Sequence, residues 1–272
     1  MTTAVSIGTG EVLQRCRAEG RAALIGYLPV GFPDVATSVA AMRVLVESGV
    51  DIVEVGIPYT DPLMDGPVIQ YAASTALKRG VRVDDVFRAT GAVREAGAPP
   101  MVMTYYNLVL HRGVRMFAER LADSGGAGLI TPDLIPDEAA EWIAASDALG
   151  LDRAFLIAPS STDERLAWVT SQCRGFVYAA STMGVTGARA TVGDSAQRLV
   201  ARARAVTSLP VCVGLGVSSR EQAAQVAGFA DGVIVGSALV NTLSGPDPDA
   251  GLAALGALAR ELADGVREGR ER

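Results

Sequence analysis

A single-domain α/β fold of the (β/α)8 (TIM) barrel type is the architecture this sequence predicts, on three observations. Eight short strand-like runs alternate with helical stretches along 272 residues. No linker or shift of composition divides the chain. The total matches the roughly 250 residues such a barrel needs. An open, doubly wound sheet is the structural alternative. It would have fewer strands with more uniformly apolar centres, whereas here Tyr27, Glu54 and Tyr178 fall on one face of their strands. That pattern suits the mouth of a barrel, where active sites gather at the C-terminal strand ends.

The elements follow in order. Residues 9–19 read as a short helix with Thr9 as its N-cap. Residues 22–30, AALIGYLPV, form the first strand, closed by Gly31 and Pro33. Asp34 caps a helix that ends near Ser48, with Val39, Met42 and Val46 at helical spacing. The second strand is 52–57: Val53, Val55 and Ile57 alternate with Ile52, Glu54 and Gly56, so Glu54 faces what the strands enclose. Pro58 stops it, and the loop carries Asp61 and Asp65. Helices follow at 67–78 (an insertion on that loop) and 84–96, then a third strand at 100–106. A helix at 114–124, a strand at 128–133, a helix at 138–149 and a strand at 153–161 come next. The helix at 163–172 leads to strand six, 175–181, and to a long loop, TMGVTGARATVGD. After the helix at 195–206 come strand seven (210–216), a helix at 219–227 and strand eight (230–237). A short helix at 238–243 and a longer one at 249–267 complete the chain, with a frayed tail at about 268–272.

Composition narrows the function. Hydrophobic residues make up 49% and the net charge is −6, which argues against a nucleic-acid or anionic-membrane surface. The N-terminal stretch lacks the basic-then-apolar order of a signal peptide, and no apolar run is long enough to span a membrane. Cys16, Cys173 and Cys212 are scattered without metal-ligand spacing and read as reduced thiols in a cytoplasmic protein. The single histidine, His111, excludes a multi-histidine metal site; near an expected helix start, it suits a cap or the surface. Lys78 is the one lysine, near a helix end, which leaves no strand lysine for Schiff-base chemistry.

Three signals remain. Glu54 with Asp65, eleven residues on, could form an acid/base pair, although a lone strand Glu is more often at a wet edge or paired with Arg. GLGVSS (Gly214, Gly216, Ser218) and VGSAL (Gly236, Ser237) leave strands seven and eight and open helices. Backbone N–H groups at such starts lack internal partners, and glycine lets a phosphate approach, so the pair predicts a phosphate site held without Lys or Arg. Glycine simply ending each strand is the plainer alternative. The long loop at 183–193 is either disordered or a lid, and as a lid it would exclude water.

The motifs then resemble a known family. VEVGIPYTDPLMDGPVIQ from Val53 to Gln70, MTYYN from Met103, MGVTG from Met183, GLGVSS and VIVGSALV are similar, in order and spacing, to those of tryptophan synthase alpha chains over about 21–240. The resemblance implies a barrel that cleaves indole-3-glycerol phosphate, by a retro-aldol reaction, to indole and glyceraldehyde 3-phosphate. It implies Glu54 and Asp65 as the catalytic carboxylates, and Gly187, Gly216, Gly236 and Ser237 around the phosphate. Tyr27, Tyr105 and Tyr178 would line the pocket. It also implies a pyridoxal-phosphate-dependent beta chain as partner in an α2β2 heterotetramer, and no cofactor in this chain. Phe176, Thr182 and Leu108 depart from residues common in the family, and none of them touches the carboxylates. A different phosphate-binding barrel enzyme would lack this Glu54/Asp65 spacing beside MTYYN. A non-catalytic scaffold subunit would be signalled by loss of a carboxylate, and both are present.

Overall fold

A computed structural model of the chain describes residues 8–61, 64–180, 189–214 and 216–269. Eight parallel strands succeed one another: β1 (Ala23–Pro29), β2 (Ile52–Gly56), β3 (Pro100–Met103), β4 (Gly128–Ile130), β5 in two pieces (Asp152–Ala154 and Leu156–Ile157), β6 (Val177–Ala180), β7 (Val211–Gly214) and β8 (Gly232–Val235). Each pairs with its neighbours in sequence, and β1 pairs with both β2 and β8. The first piece of β5 pairs with β4 and the second with β6. The two ends of the hydrogen-bonded order are therefore one interrupted strand, and the sheet closes on itself at Phe155. The Tyr178 N–H donates to the Phe155 carbonyl at 3.2 Å and carries the ladder across the break.

Alternation along each strand divides the apolar side chains into two cores. Val53, Val55 and Ile57 point outward into the layer shared with the helices, with Val102, Val177 and Val233. Ile25, Ile52, Met101, Ile130, Phe176, Cys212 and Ile234 fill the barrel interior. The interior is sealed at the N-terminal end by Val12, Leu13 and Cys16 of α1 (Thr9–Ala18).

The remaining helices are α2 (Val35–Glu47), α3 (Pro67–Lys78), α4 (Val83–Ala96), α5 (Tyr106–Arg112), α6 (Val114–Asp123), α7 (Ala140–Leu149), α8 (Asp163–Gln172), α9 (Arg189–Arg204), α10 (Arg220–Ala227), α11 (Ser237–Thr242) and α12 (Pro248–Glu268). The extra helices expected at the N-terminus and after strands two and eight are α1, α3 and α11. Asp34 caps α2 as expected, accepting from the Thr37 N–H at 2.8 Å. His111 lies exposed in the last turn of α5, three residues before α6 opens at Val114, as a surface position near a helix start requires.

Four boundaries differ from the sequence expectation. Thr9 is the first helical residue, not the cap: its N–H and hydroxyl both donate to Asp152 Oδ2, at 2.8 and 2.7 Å. A buried carboxylate 143 positions away outcompetes the local capping role. The third strand ends at Met103, because the chain turns into α5 at Tyr106. The helix expected from Glu138 opens instead as a 3-10 turn, Pro136–Glu138, with α7 starting at Ala140. The loop expected over 182–194 is shorter, since α9 begins at Arg189; most of the anticipated lid falls in 181–188, outside the described residues. The last residues of the expected frayed tail, 270–272, are also outside them, and α12 continues to Glu268.

The Thr9–Asp152 pair latches α1 across the base of the barrel. Thr9→Ala removes one hydrogen bond to a buried carboxylate, and should cost about 2 kcal/mol of folding stability, measured by urea denaturation. Thr9→Ser should restore most of it.

Candidate active site

Strand geometry places Glu54 inside the barrel. It lies opposite Tyr27 of β1 and Met101 of β3 in the parallel register, and only 1% of its surface is exposed. Neither carboxyl oxygen has a hydrogen-bond partner among the described residues. A carboxyl taken out of water without compensating donors resists ionising. Burial accordingly pushes the Glu54 carboxyl up to about 8.

Two tyrosines flank it. Burial, and after it the charges of Asp65 and Glu54, hold the Tyr27 hydroxyl well above its usual range. The same causes, burial first and then Glu54, act on Tyr178. Both rings lie across neighbouring strands where only glycine leaves room. A Cβ on Gly56 would overlap the Tyr27 hydroxyl, and one on Gly214 would sit 2.7 Å from the Tyr178 hydroxyl.

Above Glu54, the loops after β2, β3 and β4 enclose a small cavity lined by Tyr27, Ile57, Asp65, Met103, Thr104, Tyr105 and Pro132. Asp65 is half-buried, and burial raises its carboxyl above the usual range. The Gln70 side-chain amide donates to the Asp65 carbonyl at 2.7 Å and ties the loop to α3. Tyr105 accepts from the Met64 N–H at 3.2 Å, and its ring packs on Tyr59 with centroids 4.8 Å apart. The structure thus brings Tyr27, Asp65 and Tyr105 to one cavity, with Glu54 joined to it through Tyr27. Tyr59, Met103 and Thr104 were not singled out from sequence, although each lies within a quoted motif. A roomier cleft of about 430 Å³ between α2 and α12 is lined by Glu47, Ser48 and Arg260 among others. Its acid and base are both exposed and it holds no buried titratable group, so the chemistry points to the barrel mouth.

The glycine-rich ends of β7 and β8 are neighbours, since Gly214 pairs with Ile234. Gly216 has φ +65°, a left-handed backbone that favours glycine, and is exposed. Gly236 precedes Ser237, the first residue of α11. Ser218 differs from expectation: its N–H and hydroxyl both donate to Gln222 Oε1, at 2.8 and 3.1 Å. Its donors are turned to its own helix start rather than to the barrel mouth. Gly187 lies outside the described residues. Phe176 is fully buried in the barrel interior. Among the described residues no cluster of three or more His, Cys, Asp or Glu could hold a metal.

Fold and site together define a (β/α)8-barrel enzyme, with two carboxyl groups in unlike environments at the same strand ends as a pair of glycine-rich segments. Comparison with known proteins makes this specific. The family description "Tryptophan synthase alpha chain" matches residues 13–267. A tryptophan synthase alpha chain of Mycobacterium avium is 62% identical over 259 residues, covering 95% of this chain and 94% of that protein. A solved tryptophan synthase structure from Mycobacterium tuberculosis superposes with a TM-score of 0.89 at 61% identity, covering 95% of this chain and 98% of the other. The alpha subunit from Legionella pneumophila, at 31% identity, gives 0.85 over 96% of this chain and 98% of its own. The chain belongs to the tryptophan synthase alpha chain family, and is a lyase of tryptophan biosynthesis.

The raised Glu54 carboxyl has a measurable consequence. Below pH 4.5, its ordinary value, folded and unfolded chains both carry the neutral acid, and this contribution to stability is whole. As pH rises toward 8 the unfolded chain ionises while the folded one does not, so the contribution is lost, and above about 8 it is gone. Glu54→Gln is neutral throughout. Urea midpoints should therefore show the variant gaining on the wild type between pH 5 and pH 8, with little further change at higher pH.

Proposed function

We propose that Glu54 and Asp65 are the two groups through which this chain cleaves indole-3-glycerol phosphate to indole and glyceraldehyde 3-phosphate. The observation that carries this reading is Glu54 itself, a carboxyl group buried without a partner and held protonated to about pH 8. Such a group is an acid at neutral pH. It gives a proton to indole C3, which turns the ring into an indolenine. Positive charge then develops at the ring nitrogen, and the Asp65 carboxylate, at the half-buried cavity wall, stabilises it. Loss of the proton from the glycerol hydroxyl, to Glu54 or a neighbouring group, breaks the bond to C3 and releases the aldehyde. The unlike environments of the two carboxyls divide the work between them.

Tyr27, Tyr105 and Tyr178 form the walls against which an indole ring lies. The amides of Gly216, Gly236 and Ser237 receive the phosphate, together with Gly187. Ser218 joins them once Gln222 releases it. No full positive charge is needed from the side chains, because free N–H groups at helix starts favour an anion.

The reaction draws on side chains alone, and the chain carries no cofactor of its own. A beta chain holding pyridoxal phosphate is the partner, in an α2β2 assembly that takes the indole onward. The loop from Pro58 to Pro67 is part of that contact. The reading takes 1–272 as one domain and the protein as cytoplasmic. Three free, buried cysteines and the lack of any described helix long and apolar enough to cross a membrane are compatible with that location.

The test is indole release from indole-3-glycerol phosphate, with and without a beta chain. Glu54→Gln should lower turnover by about 100-fold or more while phosphate-ligand binding survives. Asp65→Asn should lose on the order of 100-fold, since an amide cannot balance indolenine charge. Either variant turning over at the wild-type rate removes its residue from the mechanism.

A further inference from the structure

One exposed carboxylate reaches the site by an indirect route. Asp133, on the loop after β4, is open to solvent, yet both its oxygens accept from the backbone N–H of Tyr106, at 3.0 and 3.1 Å. Tyr106 is the first residue of α5, and the residue before it, Tyr105, provides no side-chain cap. A carboxylate 27 positions along the chain thus fills the place that a local Ser, Thr, Asp or Asn usually takes. This tie fixes where α5 begins and therefore where Tyr105 sits.

Tyr105 carries the constraint onward. Its hydroxyl accepts from the Met64 N–H at 3.2 Å, one residue before Asp65. Its ring packs on Tyr59, whose hydroxyl accepts from Asn107 Nδ2 at 2.8 Å. Asn107 belongs to the first turn of α5, so the helix start holds the β2 loop at two points. Loops from β2, β3 and β4 become one chain of contacts that begins at Asp133 and ends at Met64, the residue before Asp65.

We infer that Asp133 is a positioning residue for the lyase reaction: by anchoring the Tyr106 amide it holds the Tyr105 hydroxyl against Met64, and so sets the Asp65 carboxylate. It touches no reacting atom. The inference rests on the lyase reading and on the role given there to Asp65. Asp133 is exposed and packs no core, so its loss should cost folding no more than the loss of one helix cap does.

The experiment measures steady-state indole release and thermal melting for the full-length wild type and four variants: Asp133→Ala, Asp133→Asn, Tyr105→Phe and the double variant Asp133→Ala/Tyr105→Phe. Asp133→Ala should lower kcat about tenfold with KM changed less than about twofold, because Asp65 acts in the transition state. Its Tm should fall by no more than about 4 °C, the loss expected for one helix cap. Asp133→Asn should keep near-wild-type kcat, since an amide oxygen accepts from the same N–H. The double variant should be no slower than the slower single one, because both changes interrupt one route. The inference is overturned by wild-type kcat in Asp133→Ala, by Asp133→Asn as slow as Asp133→Ala, or by losses that multiply in the double variant. A wild type that releases no indole overturns the lyase reading as well. An active wild type with an unaffected Asp133→Ala overturns this inference alone.

Discussion

Everything at the mouth of this barrel depends on the desolvation of one carboxyl group. An acid whose oxygens find no donors is stable only while it keeps its proton, and the fold supplies the surroundings that keep it so. Closure of the sheet at Phe155 removes an edge through which water could reach the interior. Tyr27 and Tyr178 cover Glu54 from the side, and Gly56 and Gly214 are glycine because those rings need the space. A larger residue at either position would push a tyrosine aside and let water or a donor in. The chemistry of the site is therefore written in the packing around Glu54 as much as in Glu54.

The second carboxyl is held in another manner. Asp65 belongs to no strand; its place is set by hydrogen bonds from loop to loop, through Gln70, Met64 and Tyr105. A rigid acid on a strand and an adjustable one on a tethered loop suit the division of roles proposed for Glu54 and Asp65. The half-buried position of Asp65 fits the second of these roles. Full burial without donors would leave it neutral, and full exposure would let water screen it.

Local rules explain which parts of this were legible in the sequence. The inward face of β2 was readable because a period of two needs no tertiary information. Asp34 was readable as a cap because its acceptor and donor lie three residues apart. The failures share a cause: the deciding partner is distant. Thr9 has the chemistry of a cap, but Asp152 claims it. The aromatic run after Met103 has strand propensity, yet Asp133 holds the Tyr106 amide for a helix. Ser218 reads as a free donor until Gln222 is found across the first turn of α10. The family resemblance located Tyr105 and Tyr178, but it gave no hint that a solvent-exposed aspartate, outside every quoted motif, organises the loops.

The acids at the two ends of the barrel are held in different ways. At the N-terminal end, Asp51 accepts from the Leu24 N–H at 2.9 Å and holds Arg21 with both oxygens at 2.8 Å. Asp231 accepts from the Val211 N–H at 3.0 Å and meets Arg204 at 3.1 Å. Asp152 takes both donors of Thr9. Each precedes or opens a strand, and each is matched to backbone donors that fix the sheet's lower edge. At the other end the same functional group appears as Glu54 and Asp65, raised by burial in both cases, and in Glu54 left without a donor. A buried carboxyl group with no donor, in a fold that pairs Asp51, Asp152 and Asp231 at its lower edge, fits a place kept for a ligand. The same rim is where the glycine-rich ends of β7 and β8 meet, with Gly214 paired to Ile234. An electron-rich ring carried on a phosphorylated chain is the substrate that the proposed roles of these two features would suit.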